Sequence, residues 1–235
     1  MRAFRGAAVV ITAAMVLVGC ASQPEIPYDR TAKAQIKKIG IVTPAFPEAS
    51  VVLLNSVGSS FGLIGALADA GVQSRRDTTL KNLMQQQKFS APDYFVERVS
   101  QSLRAAGYTV AMIPVKRDGS DFIEKYPTDA SVDAYLDLVA ITYGYIASGV
   151  GDSAPYRPRL SLRARLVSAK DSSVLMQDAV LYNPLGPVDK TVTIPADPAL
   201  EFKDFDALAA SPQIAVKGLR VATEQSAQTI ARLLQ

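Results

Sequence analysis

Between Asp133 and Tyr182 the chain carries one pattern that only a β-sheet with a single buried face can use. From Arg159 to Val167 the residues alternate: Leu160, Leu162, Ala164 and Leu166 fall on one side of an extended chain, and Arg159, Ser161, Arg163 and Arg165 on the other. Successive side chains of a strand point to opposite faces, so the apolar side must be covered while the guanidinium side meets water or polar partners. The stretch before it, Asp133 to Ile146, is dense in strand formers (Tyr135, Leu136, Leu138, Val139, Ile141, Tyr143, Tyr145). Val174 to Tyr182 follows a turn at Lys170-Asp-Ser-Ser. Three such runs make an antiparallel meander with one wet face.

Other segments supply what covers the dry face. Ile36 to Thr43 reads as a first strand, stopped by Pro44, and its apolar continuity after Lys38 places it centrally. Ser90 opens a helix, with Asp93 three residues on as an acidic capping partner; Phe95, Val99, Leu103 and Ala106 share one face, and Gly107 ends it. Tyr108 to Val115 is a further strand. Asn183 to Pro212 is irregular and Pro-rich, with a short helix near Asp206–Ala210. Ser211 and Pro212 then start a last helix running to Leu234, burying Val216, Leu219, Ile230 and Leu233. The expected fold is an α/β sandwich: a mixed or antiparallel sheet of four to five strands with helices packed on one face.

Residues 49–72 stand apart. Ala49 to Ala68 carries no charge and holds Gly58, Gly62 and Gly65 among bulky apolar residues. Gly58 and Gly62 are four apart, so on a helix they share a face and permit close backbone approach. Such a segment can pack within the domain, on another protomer or on a membrane. Asn55, Ser56, Ser59 and Ser60 interrupt it and argue against a span.

The N-terminus sets the compartment. Arg2 and Arg5 precede the uncharged, mostly apolar run Gly6–Val18, which is shorter than the roughly 20 residues a spanning helix needs. Charge, short apolar run and small residues form a secretory leader. The closing Leu17-Val18-Gly19-Cys20 resembles the lipobox of bacterial lipoproteins, which implies cleavage before Cys20 and acylation of that residue. Ala21 and Ser22 resemble the outer-membrane class. The chain thus divides into a signal peptide at 1–19, a lipidated Cys20 with a flexible tether to residue 35, and one periplasmic domain at 36–235 with the Gly-rich insertion at 49–72.

Within that domain, Lys37-Lys-Ile-Gly-Ile-Val, the helix end Leu103-Arg-Ala-Ala-Gly-Tyr-Thr-Val, Asp133-Ala-Tyr-Leu-Asp-Leu-Val-Ala-Ile-Thr and the hairpin Leu160-Ser-Leu-Arg-Ala-Arg-Leu-Val with Ser173-Val-Leu-Met-Gln follow one another. This order resembles the periplasmic domain of the curli-secretion lipoprotein and of the lipoprotein activators of penicillin-binding proteins. The resemblance covers about two thirds of the mature chain and carries over no functional motif. The charge-free segment departs from it.

Absences exclude chemistries. The 235 residues include no His and one Cys, so there is no Ser-His-Asp or Cys-His pair, no imidazole metal site and no internal disulfide. Gly58-Ser-Ser-Phe-Gly62 matches a nucleophile-elbow pattern at Ser60, but without a His base Ser60 is expected to be inert. Asp118, Asp121 and Glu124 cluster as carboxylates do on a solvated loop, and no metal or cofactor is expected. Lys+Arg 25 against Asp+Glu 22 leaves no nucleic-acid footprint. Arg157, Arg159, Arg163 and Arg165 are candidates to receive an anionic partner, or they pair with acids on neighbouring strands such as Asp178. The function expected is a non-enzymatic accessory or assembly factor of an envelope machine, lipid-anchored to the outer membrane and facing the periplasm. It would act through an envelope protein partner. The alternative is a membrane-associated homo-oligomer or secretion-channel component built through residues 49–72.

Overall fold

The computed structural model describes residues 25–29, 31, 35–55, 62–128, 131–150 and 155–235. Cys20, Gly58 and Ser60 lie outside the described residues. The elements in order are β1 (Lys38–Val42), β2 (Ser50–Asn55), α1 (Gly62–Gln86), α2 (Ala91–Ala105), β3 (Thr109–Ile113), β4 (Ala134–Val150), β5 (Tyr156–Ser168), β6 (Val174–Tyr182), β7 (Val192–Ile194), a 3-10 turn at Pro198–Leu200, α3 (Phe205–Ala209) and α4 (Pro212–Leu233).

They form one mixed sheet of seven strands in the order β3-β1-β4-β5-β6-β7, with β2 also pairing β4. The expected four to five strands fall short by β2 and β7. β4, β5 and β6 form the antiparallel meander, while β1, β3, β2 and β7 join in parallel. β1 and β2 are two halves of one path along β4: β1 pairs Ala134–Leu136, Ala45 bridges Val139, and β2 pairs Gly144 onward. Pro44 and Pro47 interrupt the path, because proline has no N–H to give to the ladder.

The helices lie over one face. Leu160, Leu162, Ala164 and Leu166 of β5 join Phe95, Val99, Leu103, Leu219 and Ile230 in the main core. Gly107, at φ +94°, closes α2 as expected: Tyr108 N–H donates to Leu103 O and Gly107 N–H to Arg104 O, and a left-handed residue here favours glycine. Ser90 and Ser211 take the N-cap positions of α2 and α4, but neither side chain caps. The serine caps expected from sequence therefore hold in position and not in bonding.

β4 changes face halfway. Ala140 opposes Leu162 and Thr142 opposes Ser161, so Ile141 is an extra residue, a β-bulge. Before it Leu136, Leu138 and Ala140 face the helices; after it Tyr143, Tyr145 and Ala147 do. Just beyond, Gly144 sits at φ +140°, where a Cβ would run into the backbone of Ser50. Only glycine lets β2 reach β4 there.

The charge-free stretch divides between β2 and the start of α1, where Gly62 and Gly65 lie. α1 grips the outer edge of β2: Val51 N–H donates to Asp77 Oδ1 at 2.7 Å, and Gln73 Nε2 donates to Val51 O. The outward N–H and C=O of Val51 on this edge strand are thus satisfied by side chains and not left for another chain. No described helix is long and apolar enough to cross a membrane.

Candidate functional site: a strap across the arginine face

The second face of the sheet is closed by irregular chain, residues 115–128. Its anchor is Asp137, a charge within the apolar run Ala-Tyr-Leu-Asp-Leu-Val of β4 and fully buried. A buried carboxylate needs a charged partner and hydrogen bonds to be tolerated. Asp137 has both: it receives Arg117 Nη2, the Ile123 N–H at 2.9 Å and the Tyr126 hydroxyl at 3.0 Å. Burial and the Asp137 charge push the Tyr126 hydroxyl well above its ordinary range, so it remains a donor at any ordinary pH. Tyr126 also stacks on Tyr135 with ring centres 5.6 Å apart, and the Tyr135 hydroxyl donates to Pro127 O at 2.6 Å.

Arg117 ties the strap to two other places, donating through Nε to Thr43 O at 2.5 Å and through Nη1 to Asp121 O at 2.7 Å. Its side chain is 9% exposed and that of Asp137 0%. Phe122 then inserts beside Ala45 and Val139, under two guanidiniums: Arg165 Cζ is 4.0 Å and Arg163 Cζ 5.1 Å from its ring centre. Cations over an aromatic face contribute roughly 0.5–2 kcal/mol each, more as water is excluded. Asp121 accepts its neighbour's Phe122 N–H and Arg163 Nη2, both at 2.8 Å, which holds its carboxyl below the usual range, the amide bond foremost.

The stripe of arginines read from the sequence is therefore engaged within the chain. Arg163 takes Asp121, Arg165 takes Gln177 Oε1 at 2.7 Å, Arg157 takes Glu201 at 3.1 Å, and Arg159 donates to Asn183 O at 3.3 Å. Burial pushes Arg159 down from its ordinary value. Asp178 is not their partner: it stands opposite Ala164, on the helix side of β6. Asp118, Asp121 and Glu124 do not converge, and among the described residues no group of three acids, Cys or His could hold a metal ion.

Arg117, Phe122, Tyr126 and Asp137 were missed by sequence reasoning. The available signal was Asp137 itself, a charge at the centre of an otherwise apolar strand.

Depressions among the described residues include two. One of about 490 Å³ is lined by the strap, including Lys116, Asp118, Gly119 and Lys125. The other, about 370 Å³, opens between Phe46, Met84, Phe89 and Tyr143, with the ion pair Lys81–Glu48 at its rim, 2.9 Å apart and exposed.

No protein-family model matches the chain, and no curated protein matches it. Solved structures do. A protein from Xanthomonas campestris under the family model DUF330 is 12% identical, with a TM-score of 0.41 over 83% of this chain and 81% of that one. The PelC dodecamer from Paraburkholderia phytofirmans is 10% identical, with a TM-score of 0.38 over 90% and 95%. A lipoprotein from Neisseria meningitidis is 16% identical, with a TM-score of 0.29 over 62% and 81%. The chain's structural neighbours thus include bacterial lipoproteins. At these scores they decide neither fold detail nor function, which rest on the residues above.

Proposed function

We infer that the protein is a non-catalytic envelope lipoprotein, anchored to the outer membrane by acylated Cys20 and acting as an accessory or assembly factor of a periplasmic machine. The observation that carries this reading is the joining of two features. A leader ends in Leu17-Val18-Gly19-Cys20, and it precedes a domain whose converging charges are paired with one another. Groups engaged in such pairs hold the sheet face. A role of this kind is exercised through protein contacts. Such contacts suit the outer edge of β3, which no described strand pairs and where Met112 is 48% exposed.

The test is acylation in cells. Growth with a radiolabelled fatty acid should label the parent chain and leave Cys20→Ser unlabelled as a full-length precursor; equal label on both refutes the anchor. Crosslinking in intact cells, followed by recovery of the chain, then identifies the partner.

A second reading, an oligomer built through residues 49–72, draws on two exposed apolar residues there, Leu54 of β2 at 52% and Val72 of α1 at 41%. Sedimentation in detergent separates the two. A mass that rises with concentration and falls to monomer on Leu54→Ser favours the oligomer.

A further inference from the structure

The chain expected to tether the domain bridges the sheet at Ile26. Ile26 N–H donates to Gln177 O and Gln177 N–H donates to Ile26 O, both at 2.8 Å, an antiparallel bridge on the outer edge of β6. Two residues later Tyr28 packs against the main core. Farther on, the Lys37 and Lys38 N–H groups both donate to Asp133 Oδ2 at 2.8 Å. β7 takes over the same edge of β6 three residues beyond the bridge, where Val192 opposes Val180. Ile26 therefore meets the sheet at the junction of Gln177 and β7.

We propose that the β6–β7 edge is the membrane-facing side of the domain, held against the lipid surface by this clip. The inference rests on the acylation of Cys20. From Cys20 to Ile26 an extended chain reaches only about 20 Å. Were the first firm hold at Lys37, the same chain would reach about 60 Å. A short leash ending on one edge keeps that edge near the bilayer. The β3 edge, five strand spacings or about 24 Å across the sheet, is then turned toward the periplasm.

The test uses the full chain, purified in detergent and returned to vesicles of phosphatidylethanolamine and phosphatidylglycerol carrying a rhodamine-labelled lipid. Acylation consumes Cys20, so a thiol introduced by Thr193→Cys on β7 or Met112→Cys on β3 takes a donor fluorophore alone. Thr193 and Met112 are both exposed. In protein whose acyl chains are verified by mass, energy transfer from position 193 should exceed that from position 112. The excess should be lost when Ile26→Pro, which removes the donated N–H, is combined with Tyr28→Ala. Equal or reversed transfer in the acylated parent overturns the seating and leaves the lipoprotein reading intact. An excess that survives the double substitution overturns the role of the clip. An unacylated Cys20 overturns both readings.

Discussion

The two faces of this sheet are closed by opposite means. On one face, the helices bring aliphatic and aromatic side chains onto Leu136, Leu138, Leu160, Leu162 and Leu166, and area removed from water does the work. On the other, a strap without regular structure is pinned by a buried carboxylate, an arginine, two tyrosine hydroxyls and one phenylalanine under two guanidiniums. The first kind of closure tolerates approximate shape, since apolar contacts have no direction. The second is directional and fails at a single atom, because a buried polar group that loses its partner keeps its desolvation cost. Asp137 and Leu138, neighbours on β4, stand on the two sides of this difference.

Substitution there gives the largest effect. Asp137→Ala should lower stability by about 3–5 kcal/mol, since it strands Arg117 in the interior. Leu138→Ala should cost about 2–5 kcal/mol by opening a cavity. Urea unfolding measures both, and limited proteolysis tells them apart: Asp137→Ala should open 115–128 to cleavage under native conditions, and Leu138→Ala should not. If both variants are cut alike, the faces do not differ in kind.

Gly144→Ala is expected next, at about 1–3 kcal/mol from backbone strain alone, with the clash against Ser50 added. It should release β2 and leave the strap in place, so protection should fall at Val51 and hold at Ile123. Phe122→Leu, which keeps most of the apolar volume and removes the two cation–π contacts, should cost about 1–3 kcal/mol. Raising salt should narrow the gap to the parent only slightly, because pairs partly sealed from water are weakly screened. A gap that closes fully at 1 M salt would mean the guanidiniums sit in open solvent.

The smallest effect concerns the helix side. Burial raises the Asp178 carboxyl above its ordinary value, with Glu25 adding to the rise. A raised carboxyl costs stability once pH climbs from the unfolded value, near 4, through the folded one. Asp178→Asn should therefore stabilise by less than about 1 kcal/mol at pH 7, and the gain should vanish as pH falls toward 4. Melting curves at the two pH values check this; a gain that persists in acid contradicts it.

How much of this was legible follows from the same contrast. The alternation of β5, the stripe of α2 ending at Gly107 and the apolar face of α4 all report a helix-covered sheet, and sequence reading found them. β2 was lost because Ser-Val-Val-Leu-Leu-Asn runs apolar without alternating, being fixed by the glycine opposite it. α1 was lost because its buried face is sparse: Arg76, Leu80 and Leu83 are buried among exposed polar residues. β7 is three residues long and too short to show a period. The bulge at Ile141 hides that Tyr135 and Tyr143 face opposite ways despite their even spacing. The strap carries no periodicity at all, so only the lone charge of Asp137 betrayed it.

Amide hydrogen exchange at Ile123 tests most directly whether the arginine face is closed by the chain itself. This N–H ends on Asp137 beneath the strap. Exchange in the parent should be slowed at least about a thousandfold relative to a free peptide, as expected of a site that opens only with several kcal/mol, and Asp137→Ala should abolish the protection. Exchange of the parent at the free-peptide rate would contradict the account, leaving the arginines open to an anionic partner.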